Sequence, residues 1–426
     1  MVFETLKKGQ TMKSRIFLPS AILTAAILLA CPPNHDRGPA AIPAIVAQAC
    51  AADEPSPGDV ERAKQLFRRQ QSGETLTPDE QEFLDRTRRE FQRSRQARQR
   101  QGGNGPVSTT PVCDPKVVAA LVPLDELSGS YKGEDGGLYG LGRNAPPAVH
   151  QAAYLAESQK IRPLDASGQP ADDGKIVLLS IGMSNTTMEY SQFKQTAAAD
   201  SRTSPHVLLV DGAQGGRIAS VWARGLDGVP PGIKKAALKN ADPWPVVDQR
   251  LRDAGATSQQ VQAAWIKHAN ARPAAQGEFP KHAEILKEDV ILTLEKLHQR
   301  FPNLRVAYLS SRIFGGYATT PLNPEPYAYE EAFAMRWVIR DQVQGDPRLN
   351  FDPARGAVKA PIVVWGPYLW ANGVKPRKSD GLVWNPDDLV ATDHTHPSPS
   401  GRQKVADLLL KFFTSDAGSR RWFVGR

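Results

Sequence analysis

Ile176-Val177-Leu178-Leu179-Ser180-Ile181 runs directly into Gly182-Met183-Ser184-Asn185. An apolar run this short, closed by a glycine, reads as a strand buried on both faces. Four runs of the same kind follow, at 206–210, 261–266, 306–309 and 362–365. Between the third and fourth, 281–301 carries Ile285, Val290, Leu294 and Leu297 at helical spacing. A second amphipathic stretch, 403–413, closes the chain. Strands alternating with helices predict an α/β domain over 121–426. Its expected form is a three-layer α/β/α sandwich around a mainly parallel five-stranded sheet. Ligands bind such sheets beyond the carboxyl ends of the strands. The residues just after each run are therefore the ones to weigh.

Composition supports a core of ordinary size. The chain has 426 residues, 40% hydrophobic and 23% charged, which excludes a wholly disordered protein. Three cysteines exclude a disulfide scaffold, and no Cys/His spacing reads as a zinc site. The formal charge is +8; residues 61–100 hold eleven Lys/Arg against seven Asp/Glu, about half of that excess. A local excess of this size, with no nucleic-acid-binding motif, gives no reason to expect a nucleic acid partner. No Walker or G-x-G-x-x-G pattern opens the α/β part, so nucleotide chemistry is not expected either.

The N-terminus reads as an address. Lys13 and Arg15 precede an apolar run over 16–30, shorter than the roughly 20 residues a membrane span needs. It ends in Leu28-Leu29-Ala30-Cys31, which resembles a bacterial lipobox. The expectation is a signal peptide of the lipoprotein type over 1–31, with lipidation of Cys31 anchoring an exported protein in the cell envelope or periplasm. The rival is cleavage after Ala47-Gln48-Ala49 and secretion. In the lipoprotein reading, Cys50 and Cys113 are left either to pair or to remain unrelated thiols.

A linker is expected over 32–59, a basic helical hairpin over 60–101 and a second linker over 102–120. Thr77-Pro78-Asp79-Glu80 has the pattern of a helix start, with Thr as cap, Pro first and Glu third. The hairpin turn Ser72-Gly73-Glu74 superficially resembles a calcium loop, but Arg68, Gln70 and Ser72 stand at its ligand positions. The Arg-rich stretch 86–100 reads either as a solvated face or as a contact for anionic lipid or polymer.

Four elements at the strand ends carry chemistry. Ser184 follows the first strand on a turn where its hydroxyl can face the sheet edge and backbone N–H groups can face an oxyanion. Asp211-Gly212-Ala213-Gln214-Gly215-Gly216-Arg217 follows the second, with Trp222 beyond it; its glycines let backbone amides approach a ligand. Lys267-His268-Ala269-Asn270 follows the third, and Asn270 offers a side-chain amide. Asp393-His394-Thr395-His396 precedes the last helix. An Asp and a His three apart can meet through one turn, the carboxylate orienting His396 as it takes a serine proton. Asp393, His394 and His396 are also metal-ligand types, but no further His or Cys stands at ligand spacing.

In this order the four elements resemble the blocks of the SGNH (GDSL-like) hydrolases, over roughly 175–415. Gly182-Met183-Ser184-Asn185 is similar to the first block, and its Ser-Asn ending to the sialate O-acetylesterase and acetylxylan-esterase branch. Gly215-Gly216-Arg217-Ile218 with Trp222 is similar to that branch's G-G-T…W segment. Asp393-x-x-His396 followed by Gly401 matches the last block. Met183 stands where the family has Asp or Gln, and Arg217 where it has Thr. The third block aligns only through Asn270, one position off; Gln276-Gly277-Glu278 lies too far past the strand.

The resemblance implies a flavodoxin-like fold and an exported serine esterase that needs no metal or organic cofactor. Ser184 would attack an ester carbonyl, His396 would act as base and then acid, and Asp393 would orient it. Ser184, Gly215, Gly216 and Asn270 would form the oxyanion hole. The expected substrate is an ester, above all an acetyl ester, on a carbohydrate or small molecule. Arg312, after the fourth strand, is a candidate ligand for a carboxylate or sugar hydroxyl. Tyr368 and Trp370, after the fifth, are candidate sugar-stacking residues. Two alternatives stay open: a lipase or phospholipid-directed hydrolase of the same type, and a degenerate, surface-anchored binding protein.

Overall fold

The computed structural model describes residues 57–71, 76–101, 110–229 and 242–425. The expected signal segment, Cys31 and Cys50 lie outside these residues. The chain divides into two units, 1–102 and 103–426. Among the described residues no helix is long and apolar enough to cross a membrane.

The first unit holds helices α1 (Pro57–Gln71) and α2 (Pro78–Gln101). The start of α2 is a reciprocal capping box: Thr77 Oγ1 accepts the Glu80 N–H at 3.3 Å, and Glu80 Oε2 accepts the Thr77 N–H at 2.9 Å. Leu66, Phe83 and Leu84 form a small buried cluster of their own. The Arg62 guanidinium lies 4.4 Å over the Phe83 ring.

The second unit is an α/β domain; besides a short antiparallel pair, Ser130–Tyr131 with Glu134–Asp135, it has a main sheet of five strands: β1 (Ile176–Gly182), β2 (Val207–Asp211), β3 (Val261–Lys267), β4 (Val306–Leu309) and β5 (Ile362–Trp365). The strands of the main sheet all pair in parallel, in the order β2-β1-β3-β4-β5. This is the order of flavodoxin-like doubly wound sheets. Helices flank the sheet in the manner of a three-layer α/β/α sandwich. Every residue of β1, β3, β4 and β5 is buried, which is why their sequences are largely apolar rather than alternating; Ser180 in β1 and Gln262 and Lys267 in β3 are the buried polar exceptions. β2, at the edge, is only partly covered.

The helices of this unit are α3 (Pro115–Ala120), α4 (Ala148–Gln159), α5 (Ser184–Ala199), α6 (Ala219–Arg224), α7 (Trp244–Asp253), α8 (Lys281–Arg300), α9 (Tyr327–Gln344), α10 (Pro399–Ser415) and α11 (Arg420–Phe423). α5 packs along α10, and α8 contacts both α6 and α9.

Two boundaries differ from expectation. The stretch read as a linker up to residue 120 contains α3 and is held to the domain: the Val112 N–H donates to Ala318 O at 2.8 Å, and Cys113 Sγ–H to Gly315 O at 3.4 Å. Cys113 is a free, buried thiol, and burial pushes it up to about 11. The second is the start of α9, at Tyr327, in a stretch for which the sequence carries no expectation of a helix. Thirteen of its eighteen residues are buried, so it lacks the polar face that marks a surface helix.

Candidate active site

The site starts from a tight turn. β1 ends at Gly182, Met183 stands between, and α5 begins at Ser184. A Cβ at Gly182 would lie 2.3 Å from Thr186 Oγ1 and 2.4 Å from Lys267 O. Only glycine lets these two groups approach. They are themselves bonded: Thr186 Oγ1 donates to Lys267 O at 2.8 Å, tying the first turn of α5 to the end of β3. Gly182→Ala is therefore expected to destabilise the domain by about 1–3 kcal/mol or more, as overpacking does. A fall in the thermal unfolding midpoint would check it; an unchanged midpoint would show that the turn relaxes freely.

The same region buries an ion pair. Lys267 Nζ lies 2.5 Å from Glu189 Oε1, with side chains 1% and 0% exposed. Burial raises the Glu189 carboxyl, which Lys267 opposes. Burial lowers the Lys267 ammonium to about 8, which Glu189 opposes. Breaking such a pair costs more than it contributes intact, because the remaining charge is left in a dry site.

His396 reaches Ser184 across 212 residues of sequence. The side-by-side packing of α5 and α10 closes that distance. Phe193 stacks on Phe413 with ring centroids 5.7 Å apart, and Gln192 Nε2 donates to Gln403 Oε1 at 2.8 Å. Ser184 opens α5, and His396 lies just before α10, so both come to the same end of the helix pair.

The Ser184 hydroxyl donates to His396 Nε2 at 2.7 Å, and His396 Nδ1–H donates to Asp393 Oδ2 at 2.5 Å. Asp393 Oδ1 accepts the N–H groups of Thr395 (2.9 Å) and His396 (3.0 Å), so the carboxylate lies inside its own turn. Burial raises the Asp393 carboxyl, but the hydrogen bonds from His396 and Thr395 outweigh it and hold it below the usual carboxylate range. A charged Asp393 selects the tautomer with the proton on Nδ1, leaving Nε2 free to accept from serine. Two outer contacts fix the loop: Asn185 Nδ2 donates to Thr395 O at 2.9 Å, and the Thr319 N–H to Asp393 O at 3.1 Å.

The turn after β2 flanks Ser184. A Cβ at Gly215 would stand 4.0 Å from Ser184 Cβ. Gly215 and Gly216 are both exposed there. The Arg217 N–H donates to Gln214 O at 3.2 Å, and Gly216 has φ 75°, which together make a type II turn with glycine at the position that needs it. Trp222 Nε1 donates to Gly182 O and Arg217 O, both at 3.1 Å, and so braces both turns. The Ser184 N–H lies in the first turn of α5, where N–H groups have no intrahelical acceptor and the helix dipole favours negative charge.

Four expected site residues are placed otherwise. Asn270 is 1% exposed; its Nδ2 donates to His282 O at 2.8 Å, its N–H to Glu331 Oε1 at 2.7 Å, and its carbonyl accepts from Asn323. It is a knot in a buried network, not an open third donor to an oxyanion. Arg312 is 2% exposed, with Nε donating to Asn323 Oδ1 at 3.0 Å among the charges of Glu331, Glu189, Glu325 and Asp393. It is a buried counter-ion, not a substrate contact. Trp370 is fully buried and donates to Glu325 Oε1 at 2.7 Å. Tyr368 is buried, accepts the Leu124 N–H at 3.0 Å and lies under the Arg377 guanidinium. Rings packed in this way present no face to a sugar.

Among the described residues no group of three or more His, Cys, Asp or Glu side chains is placed to hold a metal ion. His394, with φ 45°, occupies the left-handed position of the loop. A cleft of about 340 Å³ lined by Tyr139, Leu141, Arg143, Arg336 and Arg340 includes none of Ser184, Asp393 or His396. Its Arg336 is committed to Glu134 and Asp135.

No family model matches the chain, and no curated protein or solved structure matches it either.

Proposed function

We propose that this chain is a serine esterase of the SGNH type, acting on acetyl or similarly short acyl esters of a carbohydrate or small molecule. The observation that carries the reading is the continuous hydrogen-bonded line Asp393–His396–Ser184, ending beside an exposed glycine turn. Each member has the polarity its role needs: an ionised acceptor, an imidazole with Nε2 unprotonated, and a hydroxyl at a helix N-terminus.

In this reading Ser184 Oγ attacks the ester carbonyl while its proton passes to His396 Nε2. Asp393 stabilises the resulting imidazolium. The tetrahedral oxyanion sits against the N–H groups of Ser184 and Gly215 or Gly216. The C–O bond to the alcohol breaks as His396 returns the proton to it. Water then attacks the acyl-serine by the same route and releases the acid. Met183, Ile218, Val221, Val229, Ala269 and Ala271 form a separate packed cluster that begins at the residue next to Ser184. The basic segment before 16–30 and the Leu28–Cys31 stretch support export, with an acyl anchor at Cys31.

The test is hydrolysis of aryl esters from acetyl to octanoyl by the full-length protein, with labelling by a serine-directed fluorophosphonate alongside. Acetyl preference with covalent labelling is the expected result. Octanoyl preference would transfer the reading to a lipid-directed hydrolase. No turnover and no labelling would overturn the enzyme reading in favour of a binding protein.

A further inference from the structure

We propose that Arg250, in the helix inserted between β2 and β3, is a positioning residue that sets the oxyanion-binding turn; this rests on the esterase reading above. Arg250 Nη1 donates to Asp211 O and to Ala213 O, each at 2.7 Å. The carbonyl between them, Gly212 O, accepts Gln214 Nε2 at 3.1 Å, and that same amide donates to Pro243 O at 2.9 Å, just before α7. Three successive carbonyls leaving β2 are thus satisfied by Arg250 or by a side chain tied to the start of its helix.

The consequence follows from peptide geometry. A planar trans peptide points its C=O and the next N–H in opposite directions. With Ala213 O held toward Arg250, the Gln214 N–H is sent the other way, and it donates to Gly182 O at 3.1 Å, two residues before Ser184. The next plane has Gln214 O turned inward to the Arg217 N–H, which sends the Gly215 N–H outward. Gly215 borders Ser184 and is exposed. The conformation that offers this N–H to an oxyanion is therefore propagated, plane by plane, from the carbonyls that Arg250 holds.

Glycines at 212, 215 and 216 leave this turn intrinsically free to rotate its peptide planes. Hydrogen bonds from a charged donor are stronger than neutral ones, which suits a clamp on two carbonyls at once. The Arg250 side chain is 37% exposed, and its Nη1 lies 3.9 Å from Asp211 Oδ2. Its two short contacts are to backbone, so its role is geometric rather than that of an ion pair. Arg250 does not contact the line Asp393–His396–Ser184, so its loss leaves the nucleophile and base in place.

The test is Arg250→Met in the full-length protein, assayed on an aryl acetate. The expected result is a loss of about 10–100-fold in kcat with KM changed by less than about 3-fold, a fraction of what deleting an oxyanion donor costs. An arylboronic acid, whose serine adduct places a charged tetrahedral centre against the turn, should bind more weakly by a similar factor. Arg250→Lys, which restores a charged donor, should recover part of both losses. A purely structural role would instead lower the unfolding midpoint while kcat and boronate affinity stayed at wild-type values, and would overturn the proposal. If Arg250→Met does not fold, Arg250→Gln is read in the same way. If Ser184→Ala leaves activity unchanged, the esterase reading itself falls. If Ser184→Ala is inactive while Arg250→Met keeps full kcat and boronate affinity, the role of Arg250 alone falls.

Discussion

Ser184→Ala is expected to lower kcat/KM for an aryl acetate by about 10³-fold or more, and His396→Ala by a similar factor. The two side chains should act as one unit, because the Ser184 hydroxyl is hydrogen-bonded to His396 Nε2 at 2.7 Å and passes its proton there in the proposed reaction. The double variant should therefore be scarcely slower than either single one. Multiplicative losses would mean that the two residues act in separate steps. Residual activity is expected in all three variants, since the backbone donors at Ser184 and the Gly215–Gly216 turn survive. Steady-state kinetics of purified variants, with fluorophosphonate labelling to count sites, decides between these outcomes. Wild-type rates in Ser184→Ala would remove the serine from the chemistry.

The second large effect is expected at Asp393. Asp393→Asn should lower kcat by about 10⁴-fold with little change in fold, as loss of the orienting carboxylate does in serine hydrolases. An amide at this position can donate toward His396 Nδ1. The ring proton then moves to Nε2, where it faces the Ser184 hydroxyl and blocks proton transfer. Stability supplies an independent check with a defined sign. The Asp393 carboxyl lies below its ordinary value of 3.8 in the fold. Its contribution is then present above that value and is lost as pH falls through the depressed one. The gap in unfolding midpoint between wild type and Asp393→Asn should be widest near neutrality and close on acidification below 3.8. A gap that widened in acid would mean that Asp393 is not held ionised by its hydrogen bonds.

The strands and the residues at their ends differ in how far the sequence discloses them. The runs opening at Ile176, Val306 and Ile362 are readable because a strand covered on both faces must be nearly continuously apolar. The helix over Tyr327–Gln344 fails the same kind of reading for the opposite reason. Burial on nearly every side erases its periodicity, and its buried polar members, Glu330, Glu331 and Arg336, look like a surface.

Site residues divide along a similar line. Ser184, Asp393 and His396 stand at turns whose local pattern carries their geometry. Asn270, Arg312, Tyr368 and Trp370 also follow strands, and by position alone they qualify equally. What separates them is partners outside their own strand-end turns: His282 and Glu331 for Asn270, Asn323 for Arg312, Leu124 and Arg377 for Tyr368, and Glu325 for Trp370. The converse case is Arg250. It lies on an insertion with no motif around it, and only its bonds to Asp211 O and Ala213 O give it a place. Glu189 and Lys267, 78 residues apart, are likewise unreadable as a pair.

The sequence by itself determined the five strands of the main sheet, their alternation with helices, and the turns that hold Ser184 and Asp393-x-x-His396. Hydrophobic runs, glycines and cap residues act locally and leave their mark in short windows. Only the tertiary structure decided the order β2-β1-β3-β4-β5, the meeting of Ser184 with His396, and which strand-end side chains are open and which are buried in polar networks. Those outcomes depend on the packing of α5 against α10 and on hydrogen-bond partners brought together by the whole domain, and no local stretch encodes such distances.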